Sequence, residues 1–380
     1  MTTVSNAPNS GSSSGSSSGR RPHRRSERFA EALVLALVIV PALWLGGVFP
    51  ETVVATLCIA AVAVVCVGHF RHKRGVRVPA SATLVAFACL VTLIQWVPWG
   101  SSWRASVAPK LAAKVDAALV DTGVAGWQGL TVAPGDTGLE VGRLFALLLV
   151  IVAAANLSWR WTAIGVAAAS CLVTLLGLFH HAFDIHAIYG LYHTVDIDPA
   201  QTASLLTSFV NPNHQSGLML LGLFCAAGLA VDVGAQTHSA RDTFTHARRR
   251  ELHLMCLAAI GLLLVGLVLS RSRGGMLAGA VVTPLALWWA WMPESGAKGV
   301  RRGQKLTRGL TLIATTAALA WLIRMGAWDE VMSFSNAGSE SFEKLHLAWS
   351  ALALNEWSPV LGTGRGTFLD LFAMVDPSPG

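Results

Sequence analysis

The chain has 380 residues, of which 53% are hydrophobic and 13% charged, with a formal net charge of +7. Soluble domains carry about 25% charged residues, so a soluble domain is excluded. The basic balance does not point to nucleic acid either, because 19 of the 28 Lys and Arg residues lie in five short polar connections between long apolar runs.

Residues 1–28 are rich in Ser and Gly and then basic, with Arg20-Arg21-Pro22-His23-Arg24-Arg25. Such a segment buries too little apolar surface to fold and is expected to be a disordered tail. Beyond it, a helix needs about 20 apolar residues to cross a bilayer. Runs of this kind predict spans at 29–49, 51–69, 79–97, 139–157, 161–179, 215–233, 252–270, 275–292 and 309–327. All must be helical, since no backbone group can go unpaired in lipid.

The basic clusters Arg20–Arg28, Arg71–Arg77, Arg160, Arg241–Arg250 and Lys298–Arg308 fall at every second connection. That is the positive-inside pattern, and it predicts a cytoplasmic N-terminus. The expected fold is an all-α polytopic membrane protein of about nine transmembrane helices, with a transmembrane domain over 29–327 and an extracytoplasmic segment over 328–380. The same alternation puts 98–138, 180–214 and 270–275 outside. Cys58, Cys66, Cys89, Cys171, Cys225 and Cys256 lie in apolar runs without a CxxC pair, so neither a disulfide framework nor a zinc site is implied.

The outer segments depart from generic membrane sequence. In 98–138, Trp99 and Trp103 join Trp96 as candidates for an interfacial belt. The 180–214 segment contains His180, His181, His186, His193 and His214, but their spacing fits no metal-ligand pattern, and no metal is expected. Phe209-Val210-Asn211-Pro212-Asn213-His214 precedes a span. Two readings stand: Asn213 caps the following helix, or Asn211, Asn213 and His214 form a polar mouth facing a sugar or phosphate at a helix N-terminus.

Ser270-Arg271-Ser272-Arg273-Gly274-Gly275 joins two apolar helices on the outer side, against the charge bias. Either the arginines snorkel to headgroups, or the glycines turn the chain so that Arg271 and Arg273 grip an anionic group; arginine is suited to bidentate phosphate contact. Residues two apart diverge on a helix, so convergence requires a non-helical backbone there. Glu140 and Arg143 are spaced as an i, i+3 ion pair, with a second phosphate-facing arginine as the alternative. Near the end, Gly362-Thr363-Gly364-Arg365-Gly366 is a turn without the strand that a dinucleotide fingerprint needs. Its glycines suit close backbone approach to a ligand or a neighbouring helix.

Taken in order, these segments resemble the O-antigen ligase / O-antigen polymerase superfamily of bacterial membrane glycosyltransferases. The likeness rests on Phe209/Asn211/Asn213/His214, on Ser272/Arg273/Gly274/Gly275, and on Trp349/Ala351/Leu352 followed by Pro359/Leu361/Gly362/Gly364/Gly366/Phe368. Gln95 with Val97-Pro98, and Pro134 with Thr137, extend it toward the N-terminus. The resemblance implies a GT-C-like, metal-independent, inverting transferase of the bacterial inner membrane that uses no cofactor. It would take glycan from an undecaprenyl diphosphate carrier at the periplasmic face and pass it to a lipid, glycan or protein acceptor. Arg273, assisted by Arg271 or Arg143, would hold the diphosphate, and Asn211, Asn213 and His214 would orient carrier or sugar. Membrane lipids are the other expected partners.

In that family the general base is a histidine beyond the glycine turn, followed by further helices. No histidine follows His346 here, so no base is assigned and the transferase is expected to be incomplete. A non-catalytic carrier-lipid binder of the same fold is the alternative, ahead of a transporter, which would need ionisable residues near helix centres.

Overall fold

The computed structural model describes residues 21–72, 75–122, 129–192, 205–237, 243–272, 274–280 and 348–372. Among them the long elements are all helices: α1 Arg21–Leu43, α2 Pro50–Arg71, α3 Ala80–Trp96, α4 Ser101–Val107, α5 Pro109–Thr122, α6 Pro134–Ala155, α7 Trp159–Ala182, α8 Pro212–Thr237 and α9 Thr243–Leu269. Five are long and apolar enough to cross a membrane: Pro50–Arg71, Pro134–Ala155, Trp159–Ala182, Pro212–Val233 and Ala247–Leu269, while Ala80–Trp96 is a shorter apolar helix. These mark a multi-pass membrane protein. Most of the expected eighth span and all of the ninth lie outside the described residues, as do residues 1–20 of the expected tail and most of 328–380, while residues 21–28 of that tail already belong to α1.

Neighbour packing runs α3–α6–α2–α1–α7–α8–α9. Small residues let the helices approach closely, as membrane packing requires. Ala30, Val34, Ala60, Ala63, Val67 and Ala153 form the core between α1, α2 and α6. Leu205, Met219, Leu223 and Leu263 fill the space around α8 and α9. Ser170 ties α7 to α8 by donating to the Leu218 carbonyl at 2.9 Å.

Two ends of the bundle are distinct. At the basic end Arg71 donates to the Asn156 carbonyl at 2.9 Å, and Arg160 grips Asp232 through two bonds of 2.8 and 2.9 Å. At the other end, here termed the mouth, lie the end of α1, the starts of α2, α6 and α8, and the ends of α3, α7 and α9. Of the basic clusters that the sequence places on one side, the described parts of Arg20–Arg28, Arg71–Arg77, Arg160 and Arg241–Arg250 lie at the basic end, and Lys298–Arg308 lies outside the described residues.

Several boundaries differ from expectation. The first helix stops at Leu43 rather than near 49, because Leu45, Gly46 and Gly47 take φ of 48°, 69° and 74°, a left-handed run that no helix tolerates. Segment 98–138 is not a plain loop. Its two short helices, α4 and α5, share a core with the C-terminal segment built from Ala108, Leu111, Leu130, Leu354, Trp357 and Leu371. Within it the Arg104 side chain, 2% exposed, pairs with Asp116. Trp103, half-buried, packs on this core, and Trp96, also half-buried, donates to the Pro134 carbonyl at 2.9 Å.

Candidate functional site

The mouth is built from loops that earlier helices position. His180, at the end of α7 and 2% exposed, bonds the Leu206 carbonyl through Nδ1 at 2.9 Å, and its Nε2 accepts the Tyr189 N–H at 3.3 Å. The neutral ring therefore carries its proton on Nδ1. The Tyr189 hydroxyl donates to the Leu43 carbonyl. Burial pushes this phenol above its ordinary value, against the lowering effect of Ser208. Ser208 donates to the Ala42 carbonyl at 2.6 Å. The segment leading to Phe209 is thus fastened to the ends of α1 and α7.

From there the chain enters α8. The cap is Asn211 rather than Asn213: the Asn211 side-chain oxygen accepts the Asn213 N–H at 2.8 Å, and its carbonyl accepts His214 and Gln215 at 3.1 and 3.2 Å. Pro212 takes the first helical position, where a missing N–H costs nothing. Asn213 is thereby released from capping, and its Oδ1 accepts the Ser272 hydroxyl at 2.7 Å. That bond joins the Asn211–His214 segment to the Ser270–Gly275 segment, two stretches the sequence singled out separately. His214 is exposed, and its ring has no hydrogen-bond partner among the described residues.

The turn after α9 is made differently from expectation. Gly274 and Gly275 are helical; the left-handed residue is Arg271, with φ 51°. Gly275 instead permits close packing, since a Cβ there would strike the Ser216 side chain. The backbone at 271–272 is non-helical, the condition needed for the two guanidiniums to converge. Arg271 is exposed and its guanidinium has no partner among the described residues; Arg273 lies outside them.

The second cluster is at the start of α6. Arg143 forms the i, i+3 pair with Glu140 and also donates to the Val48 carbonyl at 2.7 Å. The other Glu140 oxygen takes Arg365 Nε at 2.8 Å. The turn carrying Arg365 is held down on α6 and α3: Thr137 donates to the Arg365 carbonyl at 2.8 Å, and Gln95 donates to the Leu361 carbonyl. Gly362, Gly364 and Gly366 have φ of 73°, 109° and 89°. A Cβ on Gly364 would come within 2.7 Å of Thr131 Cβ, just before α6, and one on Gly366 within 3.0 Å of Asp136 Cβ in α6, so these two glycines permit close approach to that helix start. The two clusters are linked across the mouth, because Val48 adjoins the turn whose Gly46 lies against the Phe209 ring, 3.0 Å from where a Cβ would stand.

Sequence reasoning missed Gln215. It is fully buried, and neither its side-chain nitrogen nor its oxygen has a hydrogen-bond partner among the described residues. An amide one residue past the motif, opening an otherwise apolar span, was the available signal. It missed Arg365 as a site residue too, although the turn had been recognised. Among the described residues no group of three His, Cys, Asp or Glu side chains could hold a metal ion. Comparison with protein-family models, curated proteins and solved structures finds no match.

Proposed function

We propose that this chain is an O-antigen ligase/polymerase-like glycosyltransferase of about nine transmembrane helices in a GT-C-like arrangement, set in a bacterial inner membrane with its N-terminus in the cytoplasm. It takes a glycan from an undecaprenyl diphosphate carrier at the periplasmic face. The observation that carries this reading is the Ser272–Asn213 hydrogen bond, which sets the arginine-bearing turn against the amide-bearing helix start. One small region then offers side-chain amide N–H groups without a partner among the described residues, an imidazole, the positive end of the α8 dipole and the Arg271 guanidinium.

Such donors suit a lipid-borne diphosphate. In the transfer, an acceptor hydroxyl attacks the anomeric carbon, and the carbon–oxygen bond to the diphosphate breaks with its electrons on the leaving group. Guanidiniums placed at that leaving group stabilise the charge as it develops. The hydroxyl proton passes to a base that this chain does not identify. Gln215 adds a buried amide below the mouth that a bound polar group or water would satisfy.

The test uses the full chain in nanodiscs with an undecaprenyl diphosphate-linked glycan. Arg273→Lys keeps the charge but loses the planar fork, and donor binding is expected to fall about tenfold. Binding equal to that of the unaltered chain would sink the assignment.

A further inference from the structure

On the opposite flank from α8 and α9, the end of α3 and the C-terminal segment enclose a groove of about 870 Å³. Its lining changes character along its length. Phe87, Ala88 and Val91 of α3 form the lower part, and Gln95, Asn355, Thr363 and Arg365 the upper part. At 1.5 Å per helical residue, Phe87 lies about 12 Å below Gln95 along the helix. The lower part therefore falls within the apolar layer and the upper part at its polar boundary. Phe87 is 66% exposed and Leu352 and Phe368, on the upper rim, 59% and 53%, so the groove opens sideways to the bilayer.

The upper end has unused donor capacity. Arg365 gives only its Nε to Glu140, and its two terminal nitrogens have no partner among the described residues. Both Glu140 oxygens are already taken, by Arg143 and Arg365. Asp136 lies beside Gly366 but is not part of the lining, where Arg365 is the one charged group among the described residues. An apolar slot of membrane depth beneath a half-free guanidinium fits one kind of molecule, a chain with an anionic head.

We propose that this groove seats a phosphate-headed lipid, its chain along Phe87–Val91 of α3 and its phosphate on Arg365. This site is separate from the Asn213–Ser272 cluster. Its role rests on the transferase reading: the acceptor is then a membrane-borne molecule presented from the α3 flank, not a soluble glycan or a protein.

The experiment places the full chain in phosphatidylcholine nanodiscs containing a trace of benzophenone-tagged polyprenyl monophosphate, and maps cross-links by peptide. Labels are expected on 87–91 and 351–368, competed by untagged polyprenyl monophosphate and not by inorganic phosphate. Arg365→Gln should lower this labelling about tenfold, the worth of one charge-assisted contact. Ala88→Trp, which fills the slot without touching Arg365, should lower it as far, so loosening of the turn is not the explanation. Labelling spread as strongly over the exposed Val54 and Val62 of α2, or indifferent to both substitutions, would show only annular lipid and overturn the site. Competition by inorganic phosphate as strong as by the lipid would overturn the choice of a lipid ligand. Groove labelling without any diphosphate-donor capture would remove the transferase reading alone, and donor capture without groove labelling would remove the groove alone.

Discussion

At the basic end of the bundle Asn156 is 2% exposed, and both amide hydrogens are engaged, with the Arg77 and Val152 carbonyls at 2.8 Å. Its Oδ1 accepts the Arg77 N–H at 2.9 Å. At the mouth Asn213 is exposed, accepts one bond from Ser272, and leaves its amide hydrogens without a partner among the described residues. The same side chain is a saturated staple in one place and an open donor in the other. Spare hydrogen-bonding capacity, rather than residue type, separates a structural amide from one available to a ligand.

That contrast can be broken by substitution. Asn156→Ala removes three part-buried hydrogen bonds, two of them to the Arg77 backbone, each worth about 0.5–1.5 kcal/mol. A large fall in the thermal midpoint of the detergent-solubilised protein is expected, and a midpoint unchanged would show that the staple carries no load. Gly364→Ala meets both a left-handed φ and the Thr131 side chain, at a cost of about 1–3 kcal/mol. Limited proteolysis should then cut the 348–372 segment faster; cutting at the original rate would deny that the turn is pressed onto α6.

Asn213→Ala removes one partly exposed hydrogen bond, about 1 kcal/mol of stability, while donor binding in nanodiscs should fall about tenfold. If the midpoint collapses and binding per folded molecule holds, Asn213 belongs with Asn156. The smallest effect is expected at Gln215. Gln215→Leu removes a buried amide that has no partner among the described residues, so the midpoint should hold or rise by the equivalent of about 1 kcal/mol even as donor binding weakens. Loss on both counts would mean the amide has a structural partner.

The apolar runs and the spacing of arginine clusters made the helical, multi-pass character legible, since hydrocarbon thickness and backbone satisfaction leave few options. The sequence also marked Asn211–His214 and Ser270–Gly275 as places of interest. It could not show that Asn211 would take the cap and free Asn213, because that choice turns on which side chain folds back at Pro212. Nor could it show that Arg271, rather than Gly274, makes the left-handed turn, a matter settled by how tightly Gly275 must pack on Ser216. Helices α4 and α5 were missed because their apolar positions are few and their partners lie more than 200 residues away, in Leu354, Trp357 and Leu371. The early stop of α1 was hidden for a related reason, as Gly46 is needed there by Phe209, a long-range neighbour.

Arg271 illustrates what that geometry entails. A side chain with a β-carbon in the left-handed region is disfavoured by about 1–2 kcal/mol, and glycine would occupy the position at no such penalty. Arg271→Gly should therefore yield a sturdier chain with a poorer grip on anions. Under the proposed function, the tension at this rim is kept for the sake of the bound anion, and screens for heat resistance alone would steer such a chain toward silence.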